Sequence, residues 1–145
     1  MISVQAATNG DIAEIAAIEA AVAETPWSAA QFSEELGLPH ARLLAARDGG
    51  EIVGFLDIHI ASGDAHINEL GVTPSRQNEG IGWALMSYAL ALAKNEGCTV
   101  VSLEVRESNH AAIRLYEKAG FAAVGKRKRF YTCPDEDGLI MLKEL

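Results

Sequence analysis

The stretch Arg76-Gln77-Asn78-Glu79-Gly80-Ile81-Gly82 separates a strand-like segment, Ala65 to Val72, from an apolar helical pattern that begins at Gly80. Gly80 and Gly82 carry no side chain, so a ligand can approach the backbone closely at both positions. The first turn of a helix presents unpaired N–H groups and a partial positive charge. We therefore interpret the stretch as a backbone cradle for an anion such as pyrophosphate. A glycine loop that only starts a helix is the simpler alternative, and the two glycines alone do not exclude it.

Two better-known phosphate loops fit this stretch poorly. A P-loop requires Gly-Lys followed by Ser or Thr, whereas Gly82 is followed by Trp83 and Ala84. A dinucleotide fingerprint requires a third glycine where this chain has Leu85, although Glu104 lies near the distance of its acidic residue. The sequence therefore favours a different kind of anion site.

The segments that follow the loop predict a strand–helix–strand unit over residues 65–105. Apolar residues recur there at helical spacing, and Gly97 is a stop signal. The predicted apolar stripe consists of Ile81, Leu85, Tyr88, Ala89 and Leu92. A strongly apolar strand, Cys98 to Val105, comes next. Two such strands of one sheet should run parallel, joined by a right-handed crossover.

The remaining segments predict a mixed α+β fold. Capping boxes at Thr8–Asp11 and Ser28–Gln31 start two helices after a short strand, and Trp27 and Phe32 are placed to form a hydrophobic staple. Tight turns then join strands at 42–47, 52–60 and 65–72 into an antiparallel meander. A helix at 109–119 and strands at 121–131 and 139–142 complete the chain. We expect one domain over residues 1–145, with a mixed, mostly antiparallel sheet and about four helices.

Amino-acid composition and charge limit the kinds of partner that this chain can bind. The chain has 145 residues, 49% of them hydrophobic, and a formal net charge of −8. Residues 1–75 contain eleven acidic residues but only two arginines. This balance argues against DNA as the main partner and suits a cationic one, although charge asymmetry can also serve solubility alone.

Several other site classes find no support in the sequence. Cys98 and Cys133 form no paired motif, and the four histidines lack metal-ligand spacing, so we expect no metal. No apolar run is long enough for a membrane span, and the N-terminus lacks a secretory pattern. We therefore expect a cytoplasmic protein without membrane contact.

Two residues are candidates for acid–base chemistry. Glu104 lies at the carboxyl end of the strand after the glycine-loop helix, where open α/β sheets bind ligands. It is either a general base or an exposed acid paired with Arg106. Tyr116 follows Asn109 by about two helical turns, so both can line one face. It is either a proton donor or a core aromatic packed on Ile113 and Phe121.

These residues also carry a family resemblance. Gln77 to Gly82 resembles the Q/R-x-x-G-x-G/A acetyl-CoA motif of the GCN5-related N-acetyltransferases, the GNAT family, and the order of segments resembles that fold over essentially the whole chain. Further stretches are similar to family members that acetylate the N-terminal alanine of a ribosomal protein. They are Thr25-Pro26-Trp27-Ser28, Leu103-Glu104-Val105-Arg106, Ser108-Asn109, Leu115-Tyr116-Glu117, Gly120-Phe121, and Tyr131 with Pro134.

The resemblance implies a role for each matching position. Acetyl-CoA would be the cosubstrate, without a metal. The backbone of Leu70, Gly71 and Val72 would hold the pantetheine arm and the thioester carbonyl. Asn109 would contact the coenzyme, Glu104 would be the general base, and Tyr116 the general acid. The pyrophosphate loop would consist of Asn78, Glu79, Gly80, Ile81, Gly82 and Trp83.

The acceptor implied by the resemblance is a protein N-terminus, from a small-subunit ribosomal protein, bound by a monomer or weak dimer. The chain departs from the family at Asn78 and Trp83, where basic side chains are frequent, which leaves Arg76 as the only basic side chain of the loop. An acetyltransferase for a small amine and a non-catalytic acetyl-CoA-binding module remain alternatives. The basic run 126–129 is either a solvated strand or a contact for RNA or an acidic protein.

Overall fold

The structure is a computed structural model that describes residues 1–145. Its seven strands are β1 (Ile2–Ala6), β2 (Ala41–Asp48), β3 (Glu51–Ala61), β4 (Asp64–Val72), β5 (Val100–Arg106), β6 (Ala122–Tyr131) and β7 (Glu136–Glu144). Its four α-helices are α1 (Ile12–Val22), α2 (Ala29–Gly37), α3 (Ile81–Asn95) and α4 (His110–Lys118). The strands form one sheet in the order β1-β2-β3-β4-β5-β7-β6. None of the helices is both long and apolar enough to cross a membrane.

The capping signals in the sequence form the expected local structure. The Ser28 hydroxyl accepts from the Gln31 amide at 3.2 Å, and the Gln31 side chain accepts from the Ser28 amide at 2.8 Å. The rings of Trp27 and Phe32 lie 5.3 Å apart across this box. This hydrophobic staple therefore fixes the direction in which the chain enters α2.

The sheet is antiparallel except at one pair of strands, as predicted. β4 pairs with β5 in parallel over Asp64 to Ile67 and Val100 to Leu103, and the pairing ends there. A bulge bends β4 at the same place, because Asp57 pairs with Glu69 while the next residue of β3 pairs with Ile67. Beyond this point the two strands separate, and the sheet contains a gap.

Helices cover both faces of the sheet. A larger core cluster joins α3 and α4 to one face, and a smaller cluster joins α1 and α2 to the other. Phe32 of α2 packs edge-on against Phe55 of β3, with ring centroids 5.3 Å apart. The gap between β4 and β5 therefore has helical walls on both sides.

Two sequence predictions were wrong in detail. Tyr88, assigned to the buried stripe of α3, is 42% exposed, because the buried face is turned towards Met86 and Ala93. The last strand is longer than residues 139–142 and begins at Glu136, inside the segment expected to be a loop. Hydrogen bonding to β5 on one side and to β6 on the other explains the extension.

Candidate active site

Two cavities meet at the gap between β4 and β5. One encloses about 460 Å³ and lies between the α1–α2 connection, the two strands and α4. The other encloses about 570 Å³ and lies between the end of β4, the glycine loop and α4. Both are lined by Val22, Leu70 and Asn109, so they adjoin. We call the first the acid cavity and the second the loop cavity.

The loop cavity brings together nine of the ten residues that the sequence assigned to the coenzyme. They are Leu70, Gly71, Val72, Asn78, Gly80, Ile81, Gly82, Trp83 and Asn109. Glu79 does not line the cavity, because its carboxylate points to Arg76, with Oε1 at 2.9 Å from the Arg76 Nε. The Asn109 side chain also accepts from the Ala112 amide at 3.2 Å and so caps α4.

The glycine loop has the backbone that such a cradle needs. Gly80 has a φ of 85° and Asn78 a φ of 64°, a left-handed region that glycine adopts freely and asparagine tolerates. The Ala84 amide bonds the Gly80 carbonyl at 3.0 Å, so the three N–H groups before it have no acceptor within α3. At Gly82 a Cβ would lie 3.2 Å from Leu115, which keeps this helix start close to α4.

Two cationic side chains line the loop cavity, Arg76 of the loop and Lys118 of α4. Two carboxylates already bind the Arg76 guanidinium, with its Nη2 at 2.8 Å from Asp48 and its Nε at 2.9 Å from Glu79. Lys118 lies at the end of α4, and its Nζ is 4.9 Å from the centre of the Trp83 ring. No local motif marks Lys118, because only the packing of α4 beside the loop places it there.

Glu104 lines the acid cavity and is mostly shielded from solvent, with 12% of its side chain exposed. Its Oε2 lies 2.9 Å from the His66 Nε2, and its Oε1 lies 3.3 Å from the Arg127 Nε. The suggested pairing with Arg106 is wrong, because Arg106 reaches across to the β6–β7 connection and to Glu136, at 3.3 Å. One residue of the basic run therefore belongs to this site.

Tyr116 packs in the core and also lines the acid cavity, so its role as proton donor stays a prediction. Its ring is buried and lies 6.0 Å from the ring of Phe121, yet it also lines the acid cavity with Asn109. Burial, reinforced by Tyr131 and Glu69, raises the pKa of Tyr116 and keeps it protonated at neutral pH. Burial and the nearby Glu104 carboxylate raise the pKa of Tyr131, which lines the same cavity, to about 12.

Three further acids that the sequence analysis missed line the acid cavity: Glu19, Glu24 and Glu69. Glu19 of α1 is 1% exposed and accepts from the Trp27 amide at 3.1 Å. Burial, reinforced by Glu19, raises the pKa of Glu69 to about 9, and burial also raises the pKa of Glu19. The Glu19–Glu69 pair therefore holds a proton at neutral pH, and a cation in the cavity would favour its release. Sequence spacing gives no signal for it, because the residues come from separate elements.

One other cluster could hold a cation. The donor atoms of Glu35, Asp57 and His59 lie within 4.8 Å of one another. Glu35 Oε1 is 2.6 Å from His59 Nε2, and Asp57 accepts from the Asn68 amide group at 3.3 Å. Burial, reinforced by the hydrogen-bonded Glu35, raises the pKa of Asp57 to about 9. The carboxyl group of Asp57 is therefore protonated at neutral pH beside Glu35.

Comparison with known proteins agrees with this arrangement. The model of the Acetyltransferase (GNAT) family matches residues 12–121. The chain belongs to the GNAT family of acetyltransferases, which confirms the resemblance seen in the Gln77–Gly82 motif.

Particular members of the family match nearly the whole chain. The N-alpha-acetyltransferase RimI of Mycobacterium tuberculosis is 35% identical over 149 residues, covering 99% of this chain and 92% of that protein. A putative ribosomal protein bS18-alanine N-acetyltransferase of Bacillus subtilis is 37% identical over 132 residues, covering 90% and 87%. The crystal structure of the ribosomal-protein-S18-alanine N-acetyltransferase from Escherichia coli superposes with a TM-score of 0.92 at 27% identity, covering 99% of this chain and 94% of that one.

Proposed function

We propose that this chain transfers an acetyl group from acetyl-CoA to the N-terminal α-amine of a ribosomal protein, with alanine as the acceptor residue, in the cytoplasm. The observation that carries the proposal is the meeting of two chemically different cavities at Leu70 and Asn109. One offers free backbone N–H groups to an anion, and the other offers carboxylates to a cation. The relatives named for alanine N-acetylation support the choice of acceptor.

The loop cavity suits the coenzyme. The unpaired amides at the start of α3, together with the helix dipole, would bind the pyrophosphate, and Lys118 would add a positive charge. β4 has no partner strand beyond Ile67 on its β5 side, so backbone groups of Leu70 and Gly71 on that side would bond an extended pantetheine arm. The Val72 carbonyl already accepts from the Gln77 side chain at 3.2 Å. The coenzyme contacts at the loop and at β4 would aim the thioester at the acid cavity.

The acid cavity suits an amine that arrives as an ammonium ion. Four of its lining residues are glutamates: Glu19, Glu24, Glu69 and Glu104. The amine must lose a proton before it attacks, which at pH 7.5 costs about 0.7 kcal/mol for an α-amine and about 4 kcal/mol for a lysine side chain. A single carboxylate base therefore favours the α-amine.

The acetyl transfer itself requires one general base and one general acid. The amine nitrogen attacks the thioester carbon, and Glu104 accepts the proton that the nitrogen releases, directly or through a water molecule. A backbone N–H at or near Val72 would stabilise the oxyanion. The C–S bond breaks, and Tyr116 gives its proton to the departing thiolate. A tyrosine has a pKa of about 10 and a thiol one of about 8.5, so this proton transfer is uphill in water. Exclusion of water raises the pKa of the thiol and narrows that difference, whereas burial of Tyr116 raises its own pKa and acts in the opposite direction.

A peptide with a free N-terminal alanine and one internal lysine tests the acceptor. We expect one acetyl group per peptide, located on the α-amine by fragmentation mass spectrometry. The control is the same peptide with a blocked N-terminus, which should remain unmodified. Acetylation mainly on lysine, or only of polyamines, would contradict the proposal and favour a small-amine acetyltransferase. Binding of acetyl-CoA without transfer to any amine would favour the non-catalytic module.

A further inference from the structure

His66 contacts the proposed base and has no role in the reaction described so far. Its Nε2 lies 2.9 Å from Glu104 Oε2, and its Nδ1 lies 2.8 Å from the Ser102 hydroxyl. Both ring nitrogens therefore have a partner, which fixes the plane of the imidazole. The Glu104 carboxylate is correspondingly fixed at the oxygen that faces the ring.

The short parallel ladder explains this arrangement. His66 pairs with Ser102 in the register of β4 and β5, and Glu104 follows two residues later on the same face of β5. Ala65 and Ile67, the neighbours of His66, are buried in the core on the opposite face. The contact between His66 and Glu104 is therefore set by strand register.

The side chains of His66 and Glu104 differ in how far they are exposed to solvent. The His66 side chain is 36% exposed, whereas Glu104 is 12% exposed. Glu104 lines the acid cavity and His66 does not. The imidazole therefore lies between a shielded carboxylate and solvent, outside the space that the acceptor amine would occupy.

Two side chains contact the Glu104 carboxylate, His66 and Arg127, and only His66 can exchange a proton with it. Arg127 holds the other carboxylate oxygen at 3.3 Å, but a guanidinium stays protonated in proteins. Imidazole accepts and releases protons readily near neutral pH. Every acetyl transfer leaves one proton on Glu104, and the enzyme must lose that proton before the next cycle.

We infer that His66 is a positioning residue that orients Glu104 and conducts its proton to solvent. The inference rests on the proposed function, in which Glu104 receives a proton from the attacking amine. The Ser102 hydroxyl donates to the Ala65 carbonyl and can therefore accept from an Nδ1–H of the neutral ring, which leaves Nε2 to accept the proton from Glu104. The resulting imidazolium releases that Nε2 proton to a water molecule at its exposed edge. The carboxylate and the neutral imidazole are restored, and no other reactant is needed.

Three variants test this role with saturating acetyl-CoA. His66→Gln keeps a side-chain amide that can hydrogen-bond Glu104 but cannot carry a proton, and His66→Ala removes both functions. We expect kcat to fall at least about tenfold in both, with KM for the peptide within about twofold, and imidazole buffer to restore kcat in His66→Ala. His40→Ala, at an exposed histidine, is the matched control and should keep its kcat with or without imidazole.

Two results would overturn the inference. One is full kcat in His66→Gln, which would reduce His66 to an orienting hydrogen bond. The other is a loss of kcat that added imidazole leaves unchanged. If the wild-type chain acetylates a different amine, the proposed acceptor is wrong, and kcat of the same variants is measured with that amine as the acceptor. If it acetylates none, both the function and the role of His66 are refuted. Thermal melts with and without acetyl-CoA confirm that each variant is folded.

Discussion

Replacing Asp57 with asparagine should stabilise the protein at neutral pH. Asp57 is fully buried, its Oδ1 has no hydrogen-bond donor, and burial beside Glu35 raises its pKa to about 9. A carboxyl group with a raised folded-state pKa stabilises the fold below its unfolded pKa of about 3.9, and this contribution is lost as the pH rises towards about 9.

The size of the effect follows from the pH range between the unfolded pKa of about 3.9 and the folded pKa of about 9. Each pH unit within it costs about 1.4 kcal/mol, so the loss between pH 4 and pH 7 is about 4 kcal/mol. An asparagine takes up no proton on folding, and its amide can still donate towards Glu35 and accept from Asn68. After allowance for imperfect geometry, we expect Asp57→Asn to be more stable than the wild type by about 2 kcal/mol at pH 7.

Urea unfolding at pH 5, 6, 7 and 8 measures this difference. The advantage of Asp57→Asn should grow with pH, because only the wild type must take up the proton. Asp135→Asn makes the same chemical change at an exposed turn and should follow the wild-type curve at every pH. Equal pH slopes for Asp57→Asn and the wild type, or a less stable variant at pH 8, would refute the reasoning.

Three further substitutions test the site and the fold. Glu104→Gln should lower kcat by roughly 10²–10⁴-fold while calorimetry shows unchanged acetyl-CoA binding; near-normal kcat at pH 7.5 would place the base elsewhere. Tyr116→Phe deletes one hydroxyl, so kcat should fall with the coenzyme Kd within about twofold, and an unaltered kcat would exclude Tyr116 as the acid. Gly71→Ala would place a Cβ 2.6 Å from the Phe55 ring, so unfolding should become easier by about 1–3 kcal/mol; an unchanged Tm would show that the ring moves freely.

The sequence was sufficient to predict those parts of the molecule that depend on neighbours in the chain. The Ser28–Gln31 capping box and the Trp27–Phe32 staple are local, so their spacing revealed them. The position of Glu104 near the carboxyl end of β5 was likewise predicted, because the apolar run that forms this strand is local. The glycine loop was visible for the same reason, because its conformation depends on residues within one short stretch.

Contacts between distant elements were beyond the sequence argument. Arg106 was the obvious partner for Glu104 by spacing, but His66 on β4 and Arg127 on β6 are the residues that contact it. The Glu19–Glu69 pair joins α1 to β4, and Lys118 reaches the loop cavity only because α4 packs beside it. Each of these contacts depends on strand order and helix placement, which a single sequence does not define at the level of side chains.

The parallel ladder between β4 and β5 joins only four residues of each strand. In mechanical terms the seven-stranded sheet is two stiff plates, one of four strands and one of three, connected by a narrow seam at one end. Motion between the plates opens or closes the gap far from the seam most, where the two cavities meet. A molecule that spans both cavities would act as a second fastening, and amide hydrogen exchange should then slow on both plates together.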